Sequence, residues 1–195
     1  MPGLLRRISA AALGVAALSL VTSAATAQTM GTPERYTANA INMNVSASGP
    51  IEIAVDRWSS DADRDKLMGA MLKSGPDKLL DTLQDMPRMG YFRVPGQLGI
   101  DIHFARKVPL PDGGERIVMV TDRRIGFWEA ANRPRTIDYP FTVIELRLNR
   151  DGEGEGKMSV ATKIIAETSQ NISTLENYDT QPVMLKNVRR EMATR

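Results

Sequence analysis

From Tyr91 almost to the end of the chain, apolar residues recur at every second position, and this period limits the possible folds more than any other feature. A period of two puts alternate side chains on opposite faces of an extended backbone, so each run reads as a strand with one buried face. Ile100, Ile102 and Phe104 alternate with Asp101, His103 and Ala105; Pro111-Asp112-Gly113-Gly114 then turns the chain, and Ile117 to Val120 returns. The layout repeats downstream. Phe141 to Leu148 leads into Asp151-Gly152-Glu153-Gly154-Glu155-Gly156, Met158 to Ile165 comes back, and Ile172 to Asn177 and Val183 to Val188 supply two last strands. Upstream, Ala40 to Ser46 and Ile51 to Trp58 flank Ser48-Gly49-Pro50 and predict a hairpin. Long open edges invite aggregation, so a meander of eight or more antiparallel strands is expected to close into a β-barrel or fold into a β-sandwich.

One stretch breaks the period. Ser60 precedes Asp61, Asp63 and Asp65, a serine cap followed by acids that complement a helix dipole. Leu67, Met68, Met71 and Leu72 follow at helical spacing as far as Ser74-Gly75-Pro76, where Gly closes one helix and Pro opens the next. Leu79, Leu80, Leu83 and Met86 line one side of the second helix, which stops at Pro87. Residues 61 to 86 therefore predict a helical hairpin with one apolar stripe, inserted after the second strand. The fold class is α+β, mainly β.

The first 27 residues carry Arg6 and Arg7, an uncharged run from Ile8 to Val21, and the small-residue pattern Ala25-Thr26-Ala27. This reads as a signal peptide cleaved before Gln28, because the apolar run is shorter than the roughly 20 residues that span a bilayer. The Ala-rich leader points to a bacterial protein in the periplasm or the extracellular medium. Residues 28 to 38 show no period and read as a flexible lead-in, leaving 39 to 195 as a single β-rich domain. Nothing later in the chain is apolar enough to form a transmembrane segment.

Charge and composition then exclude function classes. The chain has 25 Lys and Arg against 23 Asp and Glu, and the excess of two is Arg6 and Arg7. A balanced mature chain lacks the cationic footprint of a nucleic-acid binder. With no Cys and one His, thiolate metal sites, Fe–S clusters, cysteine nucleophiles and multi-histidine sites are ruled out, and no motif calls for a cofactor. Asp61-Ala62-Asp63-Arg64-Asp65 has calcium-loop spacing, but Lys66 and Leu72 stand where the loop needs Gly and Glu. Asn149-Arg150-Asp151-Gly152-Glu153-Gly154 puts Gly at the sixth position but Val160 at the twelfth, so it reads as a solvated turn rather than a metal site.

Three stretches, Asp56 to Leu67, Gly126 to Ile164 and Leu175 to Arg189, resemble a family of uncharacterised exported bacterial proteins. The resemblance covers nearly the whole mature chain. It implies export from a bacterial cell and no particular activity.

Two constellations could carry chemistry. His103 is the only possible histidine base, and on a strand it shares a face with Asp101, though residues two apart sit too far apart for easy direct hydrogen bonding. A hydrolase using carboxylates or the Asp101 and His103 pair is one reading, although no nucleophile-elbow or zincin motif accompanies it. The richer segment runs from Thr121 to Tyr139 and holds Arg123, Arg124, Trp128 and Arg135. Between Arg88 and Arg135 nine bases face five acids, and arginine beside aromatics suits recognition of anions through forked hydrogen bonds and stacking. The expected function is binding of a small amphipathic or anionic ligand or of an envelope partner, with Arg123, Arg124, Trp128, Arg135, Asp101 and His103 as candidate contacts. The third alternative is a structural envelope protein that acts only through protein contacts.

Overall fold

A computed structural model describes residues 31–43, 46–74, 76–123, 125, 141–160, 163–167, 172–176 and 182–191. The leader, the Gln28 cleavage site, Arg124, Trp128 and Arg135 lie outside them. Among the described residues there are ten strands and two helices: β1 (Glu34–Asn42), β2 (Ala47–Val55), α1 (Asp61–Ser74), α2 (Pro76–Gln84), β3 (Gly90–Arg93), β4 (Ile100–Pro109), β5 (Glu115–Thr121), β6 (Thr142–Leu148), β7 (Glu153–Val160), β8 (Lys163–Glu167), β9 (Ile172–Glu176) and β10 (Val183–Glu191). Eight of the strands close an antiparallel barrel in the order β1-β10-β7-β6-β5-β4-β3-β2, while β8 and β9 pair only with each other. Each barrel strand has a partner on both sides, which decides for the barrel over the sandwich.

Cross-strand partners share a face, so the register identifies the inner wall. One row runs Ile117, Leu146, Gly156, Leu185 and Ala40, another Met119, Ile144, Met158 and Val183. Apart from Gly156, these residues belong to a single buried cluster that also takes in Leu67, Leu79, Leu83 and Met86 of the helical hairpin and the segment after it. Many outward positions carry charge, among them Arg35, Glu52, Arg93, Arg116, Arg147 and Lys157. A membrane-spanning barrel needs the reverse pattern, an apolar outer belt. Among the described residues no helix is long and apolar enough to cross a membrane.

The helical hairpin starts as its local chemistry dictates. The Ser60 hydroxyl accepts from the Asp63 amide at 3.2 Å while the Asp63 carboxylate accepts from the Ser60 amide at 2.8 Å, a reciprocal capping box.

Three sequence expectations are corrected. β1 begins at Glu34, so residues 34 to 38 belong to the barrel and not to a lead-in: Tyr36, Ala38 and Ala40 alternate inward, and two alanines conceal the period. β1 ends at Asn42 and β2 begins at Ala47, so Gly49 and Pro50 lie inside β2 and not in a turn. Proline is tolerated there because β3 pairs only with Glu52 to Val55, leaving residues 47 to 51 on an open edge. The turn between β6 and β7 ends at Gly152, whose φ of 79° favours glycine, and Gly154 and Gly156 are strand residues. A Cβ at Gly154 would collide with the Arg147 carbonyl of the neighbouring strand, so this glycine allows close backbone approach rather than a turn.

Candidate functional site

One end of the barrel is floored by charged side chains, each placed by an inward position near a strand terminus. Glu34 opens β1, Tyr36 follows two residues later on the same face, Lys107 and Glu115 flank the β4 to β5 turn, and Arg190 lies near the end of β10. The Glu34 carboxylate accepts from the Tyr36 hydroxyl and the Lys107 ammonium, and it pairs with Arg190 Nε at 3.3 Å. Arg190 also pairs with Glu115 and stands 5.9 Å from the centre of the Tyr36 ring. Lys107 lies 4.5 Å from the ring centre of Trp58, whose indole nitrogen donates to the Thr32 carbonyl at 3.2 Å. Two carboxylates face two cations, so the floor is polar but close to neutral. Burial, reinforced by the hydrogen bond to Glu34, pushes the Tyr36 phenol far above the usual tyrosine value of 10.0.

The opposite end is stitched by two buried threonines. Thr121 Oγ1 donates to the Arg123 carbonyl at 2.5 Å and accepts from the Thr142 amide at 3.1 Å, and the Ile125 amide donates to Thr142 Oγ1 at 3.2 Å. Ile125 and Phe141 are fully buried beside them. Between floor and stitch the inner wall is apolar. It is also uneven, with Ala38, Ala40, Gly154 and Gly156 on β1 and β7 but Ile117, Met119, Ile144 and Leu146 on β5 and β6.

Of the residues singled out in the sequence, the three that are described, Asp101, His103 and Arg123, lie elsewhere. Asp101 pairs with Arg88 Nε at 3.3 Å on the outer wall. His103 sits at an irregularity in the β4 to β5 register, and its Nδ1 is 2.9 Å from the Met86 carbonyl, which can only accept, so Nδ1 carries the proton. Its Nε2 faces Asp122 Oδ2 at 3.9 Å. Asp101 and His103 therefore have separate partners, and the geometry does not join them into a catalytic pair. Arg123 is exposed and pairs with its neighbour Asp122 at 3.2 Å.

The floor is absent from the sequence reading. Glu34 and Tyr36 fell in the stretch taken as lead-in, and Lys107, Glu115 and Arg190 look like ordinary surface charges near turns. Parity marks Arg190, two residues after the buried Val188. It misplaces Lys107, because the register irregularity between Ile102 and Phe104 reverses the phase of β4 and puts Lys107 on the inner face with Ala105.

No family model, curated protein or solved structure matches this chain. The residues alone carry the functional reading.

Proposed function

We propose that this is an exported binding protein that holds a small amphipathic molecule inside its barrel, apolar part against the inner wall and polar end on the floor formed by Tyr36, Lys107 and Arg190. The carrying observation is a closed eight-stranded barrel whose inner wall is apolar and whose one end is a partly buried polar network. Barrels of this strand number are just wide enough to be filled by their own side chains or to hold one small ligand. The inward alanines of β1, Ala38 and Ala40, contribute only short side chains to this wall. The two-against-two charges of the floor favour a neutral or zwitterionic polar end over a strongly anionic one, which narrows the ligand class expected from the sequence. Export rests on the leader and places the protein in the periplasm or outside the cell.

The test is native mass spectrometry of protein purified from its own envelope, beside an Ala40→Leu variant. The expected result is a bound small molecule in the wild type and none in a folded variant. If nothing is bound, and Ala40→Leu costs roughly 1 to 3 kcal/mol by overpacking, the interior is filled by the chain itself and the barrel serves as a scaffold for protein contacts.

A further inference from the structure

The outer wall of the barrel contains an arrangement that folding alone does not require. Arg116 on β5 and Arg147 on β6 are direct cross-strand partners, and like charges opposite one another destabilise a sheet. Glu145, two residues before Arg147 and on the same face, draws them together: its Oε1 lies 3.2 Å from Arg116 Nε and 3.4 Å from Arg147 Nε. Lys157, the cross-strand partner of Glu145 on β7, places its ammonium 3.6 Å from Oε2. Three cations thus share one carboxylate whose side chain is only 7% exposed, while Arg147 and Lys157 are 69% and 42% exposed.

Among the described residues this is the one ion-pair cluster with three bases on a single acid. Glu34 and Glu115 together meet Lys107 and Arg190; Lys186 pairs with Glu155 and Arg189 with Glu153. The cluster carries a local excess of two positive charges. Burying a carboxylate to hold three cations is a poor source of stability, since desolvation offsets most of the attraction. It does fix two guanidiniums and an ammonium on a rigid sheet with most of their donors unused among the described residues. That is a preorganised oxyanion receptor in which the Glu145 carboxylate occupies the place of the anion.

We propose that Arg116, Arg147 and Lys157 form a binding site for a phosphate group on the outer wall of the barrel, with Glu145 as its internal competitor. A phosphate carries about 1.5 to 2 negative charges and three acceptor oxygens, which matches the excess charge and the three donor groups. A carboxylate would match neither. The site is independent of the barrel interior and stands whether or not that interior holds a ligand. The phosphate group has two sources, a free phosphate compound or the headgroup of a phospholipid.

The mature chain is titrated with inorganic phosphate and followed by amide and arginine Nε chemical shifts, with the same titration on Arg147→Gln, Lys157→Gln and, as a control, Arg189→Gln. Saturable shifts confined to β5, β6 and β7 are expected, weakened about tenfold in each of the first two variants and unchanged in the control. Glu145→Gln, provided it folds, is expected to bind phosphate more tightly, an effect that a purely structural cluster would not give. Co-sedimentation with phosphatidic acid vesicles, whose headgroup is a phosphate monoester, but not with phosphatidylcholine vesicles, lost in Arg147→Gln, identifies the headgroup as the source. Phosphate binding without vesicle binding identifies a free compound. No saturable shift, or equal weakening in Arg189→Gln, overturns the site.

Discussion

Tyr36 shows how much one side chain can do when its polar end is buried. Its ring closes the apolar column and its hydroxyl donates to Glu34, so the phenol stays protonated where an unfolded tyrosine ionises, near about pH 10. The folded state then binds more protons than the unfolded state above that pH, and stability falls as pH rises past it, while below it the contribution is complete. Denaturant unfolding between about pH 9 and about pH 11 is expected to show a steeper alkaline loss in the wild type than in Tyr36→Phe. Equal slopes would mean that another group sets the alkaline limit. The same scale explains why the chemistry was hard to locate in the sequence. His103 and Asp101 lie two apart and looked like partners, but their contacts come from residues 86 to 88 and from Asp122, which only the tertiary fold brings near. Leu83 was legible, because a leucine at helical spacing beside Leu79 and Leu80 has an obvious buried role. It is fully buried, and Leu83→Ala is expected to cost roughly 2 to 5 kcal/mol in denaturant unfolding.

Among the elements, the helical hairpin was readable because its signals are local: a serine cap, acids in the first turn, a proline opening α2. Ser60→Ala removes the hydroxyl that accepts from the Asp63 amide, and a loss of about 1 kcal/mol in thermal or denaturant unfolding is expected. The strands were readable in number and less so in extent. Gly49-Pro50 and the Gly152 to Gly156 run have turn composition, but composition does not say whether a glycine is wanted for its dihedral angles or for its missing side chain. In β7 it is the second. Gly154→Ala would press a methyl group into the Arg147 carbonyl and force β6 and β7 apart, at roughly 1 to 3 kcal/mol. An unfolding midpoint equal to that of the wild type would show that the two strands can separate without penalty.

For the whole molecule, the alternation of faces predicted a closed or sandwiched meander, and long-range pairing chose between them. That choice is invisible to local reading, since it depends on β10 returning to β1 across the full domain, with Arg35 opposite Glu191 and Ala40 opposite Leu185. Nor does any local signal say that β8 and β9 stand aside as a pair of their own while β7 passes directly to β10. The charged floor has the same origin. Its five side chains come from β1, from the β4 and β5 hairpin and from β10, and only closure brings these three parts of the chain together.

That closing pair also sets an order of events. The first strand of the barrel has its second partner only when the last has emerged, so during synthesis β1 and β7 each present an unsatisfied edge for as long as the intervening chain takes to appear. Pairings of such long range are slow to form, and partly formed sheets are the species most prone to associate with one another. A chain stopped before Val183 keeps both edges open for good and is expected to sediment as aggregate at concentrations where the full chain stays monodisperse. The protein thus spends its most vulnerable interval before it has any function to perform, and conditions that lengthen that interval should lower its yield more than its finished stability would suggest.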